Sequence, residues 1–238
     1  MVLIAHPDDA ELTCGGTIKQ LTNDGHRVVF VECTRGELGT RGTPELREQE
    51  ATDAAHILGV ETRDRLDMPD GAIEHTQENI LKVVSAIRAH RPRLLLTPPP
   101  IERHPDHEAV YRLARAAMFI AGLHKVITTR DGVEQTPHRP KKMLCFMQQY
   151  DFPRPPDVYV DISTTFDAKM DAIKAFKSQF HLPEAYNTNE PQTFLSRPEF
   201  LEEVEARAIY FGSRIGVRYA EAFMGVEPIG LASLSDIV

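Results

Sequence analysis

The chain has 238 residues, of which 42% are hydrophobic and 26% are charged, a composition typical of a globular protein with a core of normal size. Its formal net charge of −8 disfavours a nucleic-acid partner and an anionic membrane surface, because both require a basic face on the protein. The three cysteines, Cys14, Cys33 and Cys145, are odd in number and form no CxxC pair, so we expect no disulfide framework and a cytoplasmic location.

Membrane insertion and secretion have no support in the sequence either. No apolar run approaches the ~18 residues that would suggest a membrane span. The N-terminal segment MVLIAHPDD has neither the positive region nor the apolar region of a signal peptide. We therefore expect no membrane partner.

Taken in chain order, short apolar runs alternate with amphipathic stretches. A helix with Thr43 as its N-cap and Pro44 at its first position is one of the clearer elements. The predicted strands are residues 2–5, 26–34, 63–68, 93–97, 143–148 and 158–162. The predicted helices are residues 13–23, 46–58, 78–90, 105–120 and 197–211, with a further apolar stripe at Phe166, Met170, Ile173 and Phe180.

This alternation predicts an α/β fold, with a Rossmann-like, mostly parallel sheet and helices on both of its faces. Two polar segments that carry Pro or Gly, residues 128–140 and 181–198, are expected to be irregular, and the second is long enough to be a functional loop. We interpret residues 1–238 as one domain. Because ligands bind beyond the carboxyl ends of the strands in such sheets, functional residues should follow strands directly.

Two clusters of His and Asp do so. The motif HPDD at residues 6–9 follows the first predicted strand, and HPDH at residues 104–107 follows the fourth. Imidazole nitrogen and carboxylate oxygen are good zinc ligands, and a catalytic site needs three of them with one position left open. His6, Asp9 and His107 supply that set. Either motif alone would be weak evidence, but two such clusters after two parallel strands favour a metal site.

Hydrolysis would also need a base and a group that stabilises negative charge. Asp8 lies next to the ligands and is the candidate base. His104 could donate to a developing oxyanion or protonate a leaving amine, and Asp106 could orient the His104 ring and favour its protonated form. The alternative is structural, because Asp8 and Asp9 could cap the first helix and Asp106 could cap the helix that follows it.

The motifs AHPDDAE, CGGT and HPDH together resemble the LmbE-like (PIG-L) N-acetylglucosaminyl deacetylases. Further segments are similar to the bacillithiol-biosynthesis deacetylases of that family, and the resemblance covers nearly the whole chain. These segments are TRGELGTRGTPELREQEA, AAHILGV, RPRLLLTPP, IERHPDH, AIKAFKSQF, EARAIYFG and GVRYAEAF.

The resemblance implies hydrolysis of N-acetylglucosaminyl-malate to glucosaminyl-malate and acetate. It implies Zn²⁺ on the three ligands named above, with the same base and the same His/Asp pair, although ligand type does not separate Zn²⁺ from Fe²⁺ or Co²⁺. It also implies that Arg47 contacts the substrate and that the protein is a homo-oligomer, often a hexamer. Relatives usually carry several more residues before AHPDD, so we expect an abbreviated first strand.

Three arginines follow the second predicted strand and so belong to the same sheet edge: Arg35, Arg41 and Arg47. A malyl group carries two carboxylates, which arginine binds in bidentate fashion. We therefore predict that these arginines bind the substrate. Surface ion pairs are the alternative, and nearby acidic partners are available: Glu37, Glu45 and Glu48.

Other functions remain open from the sequence. The protein could deacetylate other N-acetylglucosamine derivatives, or it could be an amidase that cleaves thiol conjugates of the same sugar class. A non-catalytic sugar-binding module is a third possibility. The presence of Asp8 and His104 argues against this last alternative, because a binding module needs neither a base nor an acid.

Overall fold

The computed structural model of the protein describes residues 1–230 and residue 233. The strands of this part are β1 (Val2–Ile4), β2 (Val29–Glu32), β3 (Thr62–Arg65), β4 (Leu94–Thr97), β5 (Thr129–Arg130), β6 (Val133–Glu134), β7 (Lys142–Phe146), β8 (Val158–Asp161) and β9 (Ala220–Gly225). The helices are α1 (Asp9–Asn23), α2 (Pro44–Leu58), α3 (Gln77–His90), α4 (Pro105–Ile120), α5 (Phe166–Ala175) and α6 (Phe200–Ile215). The end of the predicted single domain, residues 231–232 and 234–238, lies outside the described residues.

Seven strands form one sheet in the order β3-β2-β1-β4-β7-β9-β8. Neighbouring strands from β3 to β7 pair in parallel, and β9 runs antiparallel to both β7 and β8. The predicted mostly parallel α/β sheet is therefore confirmed. The strand order reverses between β1 and β4, and open α/β sheets bind ligands at the carboxyl ends of the strands at such a point.

The sheet is covered on both faces because successive side chains of a strand point in opposite directions. Val2 and Ile4 of β1 join the core beneath α1, α2, α5 and α6. Leu3 of the same strand joins the core beneath α3 and α4. Burial on both sides explains why the central strands are apolar at most positions rather than alternating.

Helix α1 begins at Asp9, four residues before the predicted start. Cys14 has non-helical angles (φ −133°, ψ 20°), so the helix is kinked there and starts a second time. The N–H groups of Gly16 and Thr17, which the kink leaves without helical partners, donate to the buried carboxylate of Glu221 at 3.0 and 2.8 Å. The predicted helix corresponds to the part that includes and follows this kink.

The remaining elements agree with the predictions in type, and their ends agree within four residues, except in three places. The Thr43 cap is confirmed, since its hydroxyl accepts a hydrogen bond from Leu46 N at 3.2 Å. Strand β9 was not predicted, and α5 ends at Ala175, before the apolar stripe reaches Phe180. Residues 128–140 contain the short antiparallel hairpin β5–β6, whereas residues 181–198 carry neither helix nor strand. None of the helices within the described ranges is both long enough and apolar enough to cross a membrane.

Candidate active site

The two His/Asp clusters lie side by side at the carboxyl ends of β1 and β4. His6 follows β1, and Asp9 opens helix α1. His107 lies in the first turn of α4, which begins where the proline-rich turn after β4 ends. Each functional side chain is thus held between the end of a buried strand and the start of a helix, on backbone that the core fixes.

The three predicted ligands converge on one point. Nδ1 of His6 lies 3.3 Å from Nε2 of His107. The carboxylate oxygens of Asp9 lie 3.2 Å from His107 Nε2 and 3.7 Å from His6 Nδ1. Ligand atoms ~2.1 Å from one tetrahedral ion would be separated by roughly 3.4 Å, so the spacing and chemistry of these donors fit a single divalent ion.

The charges around these donors suit a cation. Burial raises the pKa of Asp9, but the imidazoles of His107 and His6 outweigh burial and hold the pKa well below its usual value. Burial lowers the pKa of His6, but hydrogen bonds to three carboxylates outweigh it and raise the pKa well above its usual value. Asp9 also accepts hydrogen bonds from the backbone N–H groups of Ala5 and His6, which orient its carboxylate across the loop.

The carboxylate of Asp106 holds His6, not His104. Its Oδ2 lies 3.5 Å from His6 Nε2, and its two oxygens accept hydrogen bonds from Gly71 N at 2.7 Å and Ile73 N at 3.3 Å. Asp70, which the sequence analysis missed, lies 3.1 Å from the same His6 nitrogen. Carboxylates in this position orient a ligating imidazole and raise its basicity. The carboxylate of Asp106 therefore does not orient the His104 ring, which Asp106 contacts only through its backbone N–H.

Replacing Asp106 by Asn should weaken Zn²⁺ binding by roughly 10–100-fold, because the carboxylate that supports His6 loses its charge. Competition between the protein and a chromophoric chelator measures this affinity. Glu108→Gln is the control, since Glu108 is a carboxylate of the same helix that does not contact His6. Unchanged Zn²⁺ affinity in Asp106→Asn would show that the carboxylate does not support the ligand.

His104 lies beside the candidate ligands, but its ring is held by a backbone N–H group rather than by the predicted carboxylate. Its ring centroid is 4.7 Å from that of His6, and its Nδ1 accepts a hydrogen bond from Asp106 N at 3.2 Å, so His104 rather than Asp106 caps α4. Burial, followed by the charges of His6 and His107, lowers the pKa of His104, and the opposing effect of Asp106 is smaller. The direction of this shift is opposite to the predicted rise of the His104 pKa and favours a neutral ring. Because Nδ1 is an acceptor, the proton of the neutral ring is on Nε2.

Asp8 occupies the N-cap position of α1 but does not cap it through its side chain. Its Oδ2 is buried and has no hydrogen-bond partner among the described residues, and it lies 3.6 Å from Nη2 of Arg47. Arg47 is 5% exposed, and its Nη1 donates to the carbonyl of Gly36 at 2.6 Å. A buried carboxylate oxygen that receives no hydrogen bond and lies next to the candidate metal ligands is available for a water or a substrate.

Glycines make room for Arg47 beside Asp8. Gly36 has a φ of +65°, and a Cβ atom built on it would lie 2.1 Å from Arg47 Nη1. A Cβ atom on Gly39 would lie 2.7 Å from the same nitrogen. A side chain at either glycine of the RGELG segment would therefore have to displace the Arg47 guanidinium, and at Gly36 the positive φ also favours glycine.

Comparison with known proteins agrees with this geometry. The model of the family described as PIG-L, GlcNAc-PI de-N-acetylase, matches residues 1–118. A diacetylchitobiose deacetylase from Thermococcus kodakarensis is 33% identical over 95% of this chain and 82% of its own length. The chain belongs to the PIG-L deacetylase family. It is accordingly a hydrolase of amide C–N bonds, and PIG-L deacetylases depend on a metal.

Two further comparisons show similarity beyond residues 1–118, the part that the family model matches. A probable N-acetyl-alpha-D-glucosaminyl L-malate deacetylase from Bacillus cereus is 28% identical over 75% of this chain and 82% of its own length. The crystal structure of a conserved protein from Thermus thermophilus superposes with a TM-score of 0.85 at 35% identity, covering 98% of this chain and 97% of that one. The PIG-L fold thus extends over the second half of the chain, where the family model has no match.

Two of the three predicted substrate-binding arginines lie away from the site of this PIG-L deacetylase. Arg35 is exposed and pairs with Asp67 at 2.9 Å. Arg41 is buried, and its guanidinium is bound by backbone carbonyls of residues 178–191. Neither lines the cavity at the candidate metal ligands, so the positions of these two side chains do not support the predicted contact with substrate. Sequence spacing places a residue at a sheet edge, but it does not determine the direction of a long side chain.

The cavity at the metal ligands has a volume of about 280 Å³. It contains Asp8 and the three candidate ligands, and Asp70 and His104 also line it. Its arginines are Arg47, Arg103 and Arg207, and its apolar wall consists of Leu12, Leu38, Phe194, Leu195, Phe200 and Val204. Arg103 and the apolar wall were not predicted. The position of Arg103, directly before HPDH, is the signal that could have identified it.

Proposed function

We propose that this PIG-L deacetylase hydrolyses the acetamide of N-acetylglucosaminyl-malate, giving glucosaminyl-malate and acetate, as in bacillithiol biosynthesis. The observation that carries the reaction type is the convergence of His6, Asp9 and His107 beside an Asp8 oxygen that receives no hydrogen bond. The malate-bearing substrate is supported by the bacillithiol-type motifs and by the similar protein from Bacillus cereus.

The metal is proposed to be Zn²⁺, bound by one carboxylate and two imidazoles. When bound, a divalent ion polarises the acetamide carbonyl and lowers the pKa of water. The chain's own contribution begins with Asp8, which accepts a proton from the water that attacks the carbonyl carbon. Arg47 holds the Asp8 carboxylate in place from 3.6 Å. As the C–N bond breaks, Asp8 returns the proton to the amine nitrogen.

His104 stabilises the oxyanion of the tetrahedral intermediate in this proposal. Its Nδ1 is occupied by the N–H of Asp106, so the neutral ring can donate from Nε2. A neutral donor suffices, because an oxyanion hole needs a fixed N–H dipole rather than a full charge. Burial and the neighbouring imidazoles lower the pKa of His104, which keeps this neutral donor populated at neutral pH.

Arg103 is the proposed contact for the malyl carboxylates. Its side chain is exposed at the cavity, and its guanidinium lies 4.5 Å from the ring centroid of Phe194. No acidic side chain within the described ranges pairs with it. Arg47 is committed to Asp8 and to a backbone carbonyl, so Arg103 has the freer donors for a bidentate carboxylate contact.

A second candidate substrate is diacetylchitobiose, which is favoured by the similarity to the Thermococcus kodakarensis enzyme. The two substrates share the acetamide and differ in the charge of the attached group. Apolar and glutamine side chains of the cavity could contact a neutral sugar. The charge of Arg103, however, favours binding of the anionic malyl group over binding of a neutral sugar.

Acetate release from N-acetylglucosaminyl-malate, diacetylchitobiose and N-acetylglucosamine tests the proposal. We expect kcat/KM to be highest for the malate-bearing substrate by roughly 10-fold or more, the contribution of about one charge-assisted carboxylate contact. Arg103→Ala should remove this advantage, whereas Arg115→Ala, an exposed arginine on α4, should not. A higher kcat/KM for diacetylchitobiose would reassign the substrate, and no acetate from any of the three would refute the proposed function.

A further inference from the structure

Arg41 is one of the largest fully buried side chains of the protein, with 1% of it exposed. Its Nε donates to Ser178 O at 3.0 Å, and its Nη2 donates to Asn187 O at 3.0 Å. Its Nη1 donates to the carbonyls of Glu190 and Pro191 at 3.2 and 3.1 Å. Every guanidinium nitrogen is therefore bound to one irregular segment, residues 178–191.

Further contacts join the loop that carries Arg41 to residues 178–191 around the guanidinium. The ring of Tyr186 lies over it at 4.4 Å, and the carboxylate of Glu190 lies 3.5 Å from Nη2. In return, Gln179 donates from its side chain to the carbonyl of Arg41 at 2.8 Å, and Gly42 N donates to Glu190 at 3.2 Å. A charge buried to this extent is stable only when its donors are satisfied, and residues 178–191 satisfy them.

The segment held by Arg41 leads directly into the wall of the active-site cavity. Gln179 lies within the segment, and Phe194 and Leu195 follow it, and all three line the cavity. Phe194 contacts two guanidiniums, with Arg103 at 4.5 Å and Arg197 at 4.4 Å from its ring centroid. Because residues 181–198 form neither helix nor strand, no regular backbone ladder fixes Phe194 and Leu195, and contacts with other segments contribute to holding them.

The loop that carries Arg41 also contacts the catalytic side of the cavity. The carbonyl of Gly36 accepts a hydrogen bond from Arg47, and Leu38 N donates to Asp70 at 2.8 Å. One loop thus contacts both the residues around Asp8 and the segment that leads to Phe194 and Leu195. The contacts with Arg47 and Asp70 do not involve the Arg41 side chain.

We propose that Arg41 is a positioning residue that fixes residues 178–191 and thereby the wall formed by Phe194 and Leu195. The inference rests on the proposed function in one respect, which is that the group attached to the glucosamine lies against this wall. Loss of the Arg41 contacts loosens the wall and weakens binding of the attached group. Because the metal ligands and Asp8 are held by other elements, the chemical step is affected less than binding.

Arg41→Lys tests the proposal, because lysine keeps the charge but cannot make the same set of hydrogen bonds. We expect backbone amides of residues 178–195 to exchange hydrogen roughly 10-fold faster or more, as each charge-assisted hydrogen bond contributes at least about that factor. KM for N-acetylglucosaminyl-malate should rise by a similar factor, KM for N-acetylglucosamine should rise less, and kcat should change little. The control is Arg130→Lys, which removes an arginine that anchors the β5–β6 hairpin to Asp64, away from the cavity.

Tyr186→Leu and Glu190→Gln provide the same test from the other side of the contact if Arg41→Lys does not fold. Both positions are half-buried in the irregular segment. Both variants should also speed amide hydrogen exchange in residues 178–195 and raise KM for N-acetylglucosaminyl-malate, by smaller factors than Arg41→Lys. Unchanged exchange in residues 178–195 would overturn the proposal, as would faster exchange with the KM values of the wild type. If the wild type releases no acetate from any acetamide, the proposed function fails, while the exchange comparison still decides whether Arg41 holds the segment.

Discussion

Asp8→Asn should lower kcat for acetate release by roughly 10²–10⁴-fold, the contribution expected of a positioned general base. The substitution keeps the shape of the side chain but removes its capacity to accept a proton. Zn²⁺ affinity should stay nearly unchanged, because Asp8 is not one of the three donors that converge. The measurements are initial rates at saturating substrate and the zinc content of the same samples.

Asp53→Asn is the matched control, because Asp53 is an exposed carboxylate on α2 that does not line the cavity. The thermal midpoint of each variant shows whether Arg47, which loses its charged neighbour in Asp8→Asn, destabilises the fold. Wild-type kcat in Asp8→Asn with full zinc occupancy would remove Asp8 from the proton transfer.

His104→Ala should lower kcat by roughly 10²–10³-fold, the cost of losing one oxyanion donor. His104→Gln should lose less, because the glutamine amide is also an N–H donor but cannot titrate. Since burial and neighbouring imidazoles lower the pKa of His104, its neutral form predominates above that pKa and keeps its Nε2 proton as the pH rises. A basic limb of the pH–rate profile should therefore be the same in His104→Gln as in the wild type.

The pH profiles decide between the neutral and the cationic role of His104. If His104→Gln is as inactive as His104→Ala and the basic limb is lost in both, the ring acts as a cationic acid. If His104→Ala has the kcat of the wild type, His104 serves only as the cap of α4, where its Nδ1 accepts the N–H of Asp106.

The convergence of the three candidate metal donors could be predicted because two properties of the sequence combine. Buried strands are readable as short apolar runs, and the ends of neighbouring parallel strands must meet at one edge of the sheet. His6 and His107 each follow such a strand closely, so their convergence follows from topology. Asp9 is three residues from His6, and the turn between strand and helix turns its carboxylate back to the same point.

The partners of these residues could not be predicted in the same way. Asp106 lies between two histidines in sequence, yet its carboxylate binds His6 from the other cluster. Asp70 lies in the loop after β3 and belongs to no recognisable motif. Only the folded sheet brings it close to His6. Arg41 follows β2 like a residue of the site, but its long side chain points to a segment about 140 residues later. Such pairings depend on tertiary distances that spacing along the chain does not encode.

Strand β9 was missed for a related reason. Its sequence contains Glu221, which is buried, and a carboxylate in a central strand is unfavourable unless it has partners. Those partners are Lys169 and the kinked start of α1, which are distant in sequence. The single domain, the homo-oligomer and the cytoplasmic location stay predictions.

Titration of Zn²⁺ into chelator-treated protein, with acetate release measured at each addition, tests the central claim most directly. The claim is that His6, Asp9 and His107 bind one ion and that deacetylation depends on it. Activity should be absent without metal, rise in proportion to added Zn²⁺ and reach its plateau at about one equivalent, the stoichiometry of a single three-ligand catalytic site. Full activity in the metal-free protein, or the same titration curve in His107→Ala, would contradict the claim.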